Sequence, residues 1–288
     1  MRFWQAMTME PLDERAALCQ AAEAAGYTGV TFGEHLVTPA YVKSRYPYAP
    51  HGRVPWDPEA LFPDPWQVIS ALSAVTTTLQ FMTAIFVLPL RDVFTAAKAV
   101  STAAVLSHNR ITFGVGVGWM REEFRLTGQS FEERGARADE MIEIIQGLLR
   151  GGMFEYHGRF HDFEPVQISP VPTNPVPIIV GGETPAALRR AARADGWITS
   201  PRTPADVAPM ISQFEAERTR IGAGDKPSRI VALLKGDIAI DRCQRLADAG
   251  VTDVVFPSLV THPTIDPTST GRISLIHGRA ARVIARMA

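Results

Sequence analysis

The sequence predicts a (β/α)8 barrel, one domain over residues 1–288, on three observations. Eight short apolar runs alternate with longer amphipathic stretches, the pattern of parallel βαβ units. The length of 288 residues suits one barrel of roughly 250 residues with insertions. Two junctions echo each other: Ala25-Gly26-Tyr27-Thr28-Gly29-Val30 and Ala249-Gly250-Val251-Thr252-Asp253-Val254. In both, a glycine stops a helix and the chain turns directly into a strand. A doubly wound open sheet is the main rival.

The first strand is read at 3–7. A helix follows at 11–25, where Leu12, Ala16, Cys19 and Ala22 recur at helical spacing and Gly26 acts as a stop. Strand two is 29–32. Residues 36–65 are rich in proline and tyrosine and lack periodicity. They lie on the side where barrel strands end, and Tyr41, Tyr46, Tyr48 and Trp56 favour a lid over a disordered segment. A helix starting near Asp64 leads to strand three at 79–87, and Asp92 caps the next helix, which runs to Leu106. Strand four is 111–115, followed by a glycine-rich turn and a helix over 131–149. A second long insertion, 151–177, holds several prolines and a hairpin around Tyr156-His157-Gly158-Arg159-Phe160. Strand five is 178–180, with a helix at 184–194. Strand six is 197–199, with a helix at 204–221. Strand seven is 229–234, with a helix at 241–249. Strand eight is 253–256, and a terminal helix covers 273–287.

Composition narrows the function. Hydrophobic residues make up 46% and charged residues 20%, enough apolar material for a large core. The 29 basic and 30 acidic side chains leave a net charge of −1, which points away from a nucleic-acid or membrane-surface partner. Cys19 and Cys243 are far apart, so neither a disulfide framework nor a cysteine metal site is expected. No signal peptide is read at the start and no run reaches membrane-spanning length, so the expected location is the cytoplasm.

Several strand ends offer chemistry. Glu34-His35 directly follows strand two, where a side chain points into the mouth and an imidazole can shuttle a proton. The alternative is a structural histidine on a loop. Gly114-Val115-Gly116-Val117-Gly118-Trp119 lets backbone approach a cofactor closely, or simply makes a tight turn. Gly181-Gly182-Glu183-Thr184-Pro185 opens a helix whose free N–H groups suit a phosphate. His157 and His161 are four apart, but Gly158 lies between them and no metal is expected there. Lys43, Arg45 and Arg53 in the long loop could neutralise an acidic cofactor tail. Lys235 is the one lysine after a strand end that a Schiff-base aldolase could use.

In order and spacing, these pieces resemble the luciferase-like family of flavin and deazaflavin oxidoreductases, and are similar to its actinobacterial branch that uses coenzyme F420. The match runs through Gly33-Glu34-His35, Thr83-Ala84-Ile85, Leu88-Pro89-Leu90-Arg91 and Ser107-His108-Asn109-Arg110. It continues through Gly116-Val117-Gly118-Trp119, Glu123-Phe124, Phe131-Glu132-Glu133-Arg134-Gly135, Gly181-Gly182 and Asp195-Gly196-Trp197. The resemblance implies a homodimeric barrel with its cofactor at the C-terminal mouth and a small-molecule substrate. It implies a non-proline cis peptide at Ala84-Ile85 behind the cofactor ring, with Thr83 beside it. It places cofactor contacts on Gly116, Val117, Gly118 and Trp119, and phosphate binding on Gly181 and Gly182. The family's histidine after strand two falls on His35, which is expected to donate or accept the substrate proton or to stabilise the cofactor's anionic ring, with Glu34 orienting it. Asn109, where the family has glycine, and Val93, where it has proline, depart from the pattern.

The expected reaction is hydride transfer between F420 and a carbonyl, imine or activated alkene. The alternatives are an FMN-dependent monooxygenase, a non-catalytic flavin-binding or deazaflavin-binding barrel, and a phosphosugar aldolase or isomerase.

Overall fold

The computed structural model describes residues 1–236, 239–262 and 265–287. Its centre is a closed parallel barrel of eight staves. In chain order these are β1 (Arg2–Ala6), β2 (Gly29–Phe32), β3 (Gln80–Thr83) continued by β4 (Phe86–Val87), and β5 (Ile111–Gly116). After an antiparallel hairpin of β6 (Phe154–His157) and β7 (Asp162–Val166) come β8 (Ile178–Gly181), β9 (Gly196–Ile198), β10 (Arg229–Leu233) and β11 (Asp253–Phe256). Pairing of β1 with β11 and of β3 with β5 closes the ring. This excludes the open sheet.

Helices fill the crossovers: α1 (Arg15–Ala24), α2 (Pro65–Ser73), α3 (Val93–Leu106), α4 (Arg121–Leu126), α5 (Arg134–Leu149), α6 (Pro185–Arg193), α7 (Pro204–Arg220), α8 (Ile240–Asp248) and α9 (Ser269–Arg279). Their starts follow local chemistry. Asp64 accepts the Trp66 and Gln67 N–H groups, Asp92 that of Thr95, and Thr184 that of Ala187. Two expected helix starts move by four residues. The first helix begins at Arg15 rather than residue 11, because the Arg15 guanidinium folds back onto the Thr8 and Glu10 carbonyls. The terminal helix begins four residues early, at Ser269, where Thr268 accepts the Gly271 N–H.

Trp4, Met82, Ile179, Ile198, Val231 and Val255 fill the barrel interior, one from each of six staves. β2 supplies Gly29 instead; a Cβ there would run into the Trp4 ring and the Gln80 carbonyl, so the glycine makes room for the indole. Below this layer the buried Asp253 carboxylate binds Trp4 Nε1, Arg229 and Arg2, each at 2.8 Å, tying β1, β10 and β11 together. On the outside, Glu23 at the end of α1 accepts the N–H groups of Thr77, Thr78 and Leu79 at 2.9, 2.5 and 2.8 Å, fixing the entry to β3.

Cys19 and Cys243 are buried on helices, and burial pushes their thiols up to about 12 and about 11. No described helix is long and apolar enough to cross a membrane.

The third stave is not one strand over 79–87 but two pieces, and the break falls at a cis peptide bond at Ala84-Ile85, where the resemblance implies one. Thr83 and Phe86 stay buried on either side, while Ala84 and Ile85 are half-buried at the barrel mouth.

Candidate active site

A cleft of about 700 Å³ with mostly apolar walls opens where the parallel strands end. Residues just past β1, β2, β3, β5, β8 and β9 form its floor, the usual place for function in such barrels. His35, Glu34, Ala84, Ile85, Gly116, Val117, Gly118, Trp119, Gly181 and Gly182 all line it. The imidazole and the glycine turn before α6 therefore share one mouth.

The His35 ring sits among Trp56, Phe62 and Trp119, with centroids at 5.1, 5.1 and 5.7 Å. Trp56 and Phe62 come from the long segment 33–64, which forms no helix or strand and folds over the mouth. Tyr46 bridges Trp56 and Trp119, and Tyr48 packs against Tyr46. Burial pushes the Tyr46 hydroxyl up to about 12, with Tyr48 adding to the effect. Two adjacent carboxylates of α4 hold this strap. Glu122 Oε1 accepts the Lys43 and Ser44 N–H groups at 2.7 and 3.1 Å. Glu123 Oε1 accepts the Leu36 N–H at 2.7 Å.

The carboxylate beside His35 also belongs to Glu123: Oε2 lies 3.2 Å from His35 Nδ1. This corrects the expectation that Glu34 orients the ring. Glu34 turns under the Ala84-Ile85 bulge, where Oε1 accepts the Val87 N–H at 2.5 Å and Oε2 meets Arg91 at 2.6 Å. A second Arg91 bond reaches Oε1 at 3.0 Å. A guanidinium gripping both oxygens, together with a backbone N–H, outbids one bond to an imidazole. Burial pushes Glu34 up to about 7, against the lowering pull of Arg91 and the Val87 N–H.

Ile85 projects between two glycines. A Cβ on Gly116 would strike Ile85 Cδ1, and one on Gly181 would lie 2.8 Å from Ile85 Cγ2. Backbone and Ile85 thus make an apolar stretch of the cleft wall that side chains at 116 or 181 would crowd. Thr83 does not reach the cleft. It is fully buried, and its hydroxyl donates to the Gly114 carbonyl at 2.7 Å and accepts the Gly114 N–H at 2.9 Å. It braces β3 to β5, because the bulge turns only the next two residues toward the mouth.

Gly182 has φ +118°, and Trp197 Nε1 donates to its carbonyl at 2.8 Å. The turn then enters α6, whose first N–H groups lack helical partners apart from the cap at Ala187. Glu183 in this turn is not free to repel an anion. Arg202 and the Ser200 hydroxyl bind it, and the Ser200 N–H reaches it at 3.2 Å. Two arginines also line the cleft. Arg134 donates to the Gly118 carbonyl at 3.1 Å and lies 3.7 Å over the Phe131 ring, and Arg45 reaches in from the strap.

Other expected groups lie elsewhere. Lys43 and Arg53 do not line the cleft, nor does Lys235, nor any residue of the second insertion, 151–177. That insertion packs its hairpin against α5 and, through Phe94 and Phe163, against α3. His157 pairs with Asp162, and His161 with Glu140, so the two rings do not converge. No group of three or more metal-ligating side chains exists among the described residues. Glu123, Phe62 and Arg134 were not among the residues read as the site. The signal for Glu123 was the carboxylate pair opening a short helix beside the glycine turn.

A model of the luciferase-like monooxygenase family matches residues 2–249. An uncharacterised protein of Mycobacterium tuberculosis is 37% identical over 290 residues, covering 100% of both chains. An F420-dependent glucose-6-phosphate dehydrogenase of Nakamurella multipartita is 30% identical over 190 residues, 65% of this chain and 52% of its own. An FMNH2-dependent dimethylsulfone monooxygenase of Pseudomonas fluorescens is 32% identical over 130 residues, 44% of this chain and 35% of its own. Among solved structures, an F420-dependent secondary alcohol dehydrogenase bound to an F420–acetone adduct superposes with a TM-score of 0.79 at 14% identity, covering 100% of this chain and 99% of the other. At that identity the likeness speaks for the fold.

Proposed function

Because this chain belongs to the luciferase-like monooxygenase family, we propose that it is an oxidoreductase moving hydride between coenzyme F420 and a small organic substrate. The observation that carries the reading is the cleft itself: an imidazole with one nitrogen held by a carboxylate shares a mostly apolar mouth with Ala84, Ile85, Gly116 and Gly181. Relatives in the family use either a deazaflavin or a flavin. The arginines Arg45 and Arg134 at the cleft favour the more acidic of the two.

The residues present fit such a cofactor. The Ala84-Ile85 bulge and the backbone of Gly116, Val117 and Gly118 would back its ring. The Gly181-Gly182 turn and the start of α6 would take a phosphate, and Arg45 and Arg134 the acidic tail. When bound, a reduced deazaflavin supplies a hydride from carbon. The protein supplies the rest. His35 would give a proton to the substrate atom that gains charge, or take one in reverse, from the ring nitrogen remote from Glu123. Trp56, Phe62 and Trp119 pack on the His35 ring and Tyr46 packs on both tryptophans, so these rings would help exclude water from that nitrogen once cofactor and substrate fill the cleft.

Titrating purified protein with F420 and with FMN tests the cofactor. F420 is expected to bind with salt-sensitive affinity, and FMN at least about tenfold more weakly. Tight FMN binding with oxygen uptake would overturn the choice. With reduced F420 and a panel of carbonyls, imines and activated alkenes, His35→Ala is expected to lower turnover roughly 100-fold while cofactor affinity holds within about threefold. Wild-type turnover in that variant would overturn the role of His35.

A further inference from the structure

His35 carries two ring nitrogens, and acid–base work depends on which one holds the proton. The Glu123 carboxylate is buried, 2% exposed on its side chain, and both of its oxygens serve the segment after β2. Oε1 takes the Leu36 N–H at 2.7 Å, and Oε2 faces His35 Nδ1 at 3.2 Å. A backbone N–H can only donate and a carboxylate can only accept. The shared proton therefore sits on Nδ1, which leaves Nε2 of the neutral ring with its lone pair.

The surroundings leave Nε2 no competing partner. No hydrogen bond to it exists among the described residues, and the ring lines the cleft. The three aromatic rings packed around His35 limit its rotation without offering a rival acceptor for Nδ1. Glu34, the adjacent carboxylate, is committed to Arg91 and Val87. Glu122 is committed to the strap backbone at Lys43 and Ser44.

We propose that Glu123 is the positioning residue that sets the tautomer of His35, holding the proton on Nδ1 and presenting a bare Nε2 to the cleft. Its catalytic consequence rests on the reading of His35 as the proton-transferring group; the tautomer does not. One carboxylate thereby couples two things that must be right together, the path of the strap at Leu36 and the state of the ring at His35. An amide at this position reverses the ring. In Glu123→Gln the obligate Leu36 donor claims the amide oxygen, so the NH2 group turns to Nδ1, and Nδ1 must become the acceptor. The proton then moves to Nε2.

The test is 15N NMR of histidine-labelled protein at a pH of about 8.5, where an ordinary histidine ring is neutral. No cofactor or substrate is added, and the His35→Ala variant assigns the resonance among the 7 histidines. Wild type is expected to show a protonated-type signal at Nδ1 and a lone-pair signal at Nε2; Glu123→Gln is expected to show the two exchanged. A wild-type ring protonated on Nε2 overturns the proposal, as does an unchanged tautomer in folded Glu123→Gln. Should that variant fail to fold, the wild-type spectrum still decides. A purely structural Glu123 would lower the melting temperature without exchanging the signals. The spectrum is read without turnover, so loss of the oxidoreductase reading would leave this result standing, and the reverse also holds.

Discussion

At the scale of single residues, the site is built from glycines that make room and carboxylates already committed to partners. Gly114 and Gly116 sit two apart on β5, yet a Cβ on each meets different matter. At Gly114 it meets the Thr83 carbonyl, which is backbone and cannot yield; at Gly116 it meets the tip of Ile85, which can. Gly114→Ala is expected to cost about 3 kcal/mol or more in denaturant unfolding, and Gly116→Ala only about 1 kcal/mol. The same Gly116→Ala change is expected to weaken cofactor binding clearly, because Ile85 must move into the cleft. Equal losses of stability in the two variants would contradict this account. His35 and the glycine turns were legible in the sequence because each is a local pattern at a strand end. The partner of His35 was not. Glu34 is adjacent in sequence, whereas Glu123 is 88 residues away and becomes a neighbour only when the barrel closes. Thr83 failed for a related reason: being next to the bulge in sequence placed it near the cofactor on paper, while the pleat buried it against Gly114.

At the scale of elements, α4 and the broken third stave do what no periodicity announces. A six-residue helix holds the 33–64 strap through two consecutive carboxylates. The apolar run 79–87 reads as one strand because hydrophobic periodicity cannot see a cis bond. The other helices were legible to within a few residues wherever an Asp or Thr cap preceded them. Glu23 shows an element boundary set by charge. Its modest burial pushes the carboxyl up, but the N–H groups of Thr78, Leu79 and Thr77 together hold it down at about 2. A lowered carboxyl stabilises the fold fully above its ordinary value of 4.5 and loses that contribution as pH falls toward about 2. Glu23→Gln is therefore expected to be less stable than wild type by about 1 kcal/mol above pH 5, the figure being reduced for solvent screening. The two unfolding curves should converge as pH approaches 2; a gap that persists there would rule this explanation out.

At the scale of the whole molecule, the barrel was the most legible feature, because eight apolar runs at regular spacing leave few ways to bury themselves. What spacing could not reveal was how the ring is locked. One buried carboxylate, Asp253, gathers Trp4, Arg229 and Arg2 across the seam where first and last strands meet. Burial alone would raise its carboxyl, but Arg229, Thr252 and Arg2 hold it below the ordinary range. Asp253→Asn leaves the half-buried Arg229 without its countercharge and is expected to cost about 3 kcal/mol, measured by equilibrium unfolding at neutral pH. A cost near zero would place the lock elsewhere. The cleft's partition is also a whole-molecule property. The strap borders it and the 151–177 hairpin does not, so differences in ligand preference should track the former segment alone.

The two sulfhydryls described above have a practical consequence. Both are sealed inside helical packing and resist ionisation, so thiol-directed dyes find no cysteine on the native surface. Tyr41, at the outer edge of the strap, is 85% exposed. A lone cysteine grafted there would carry a fluorophore without background, turning the covering segment into its own reporter of what fills the cleft beneath it.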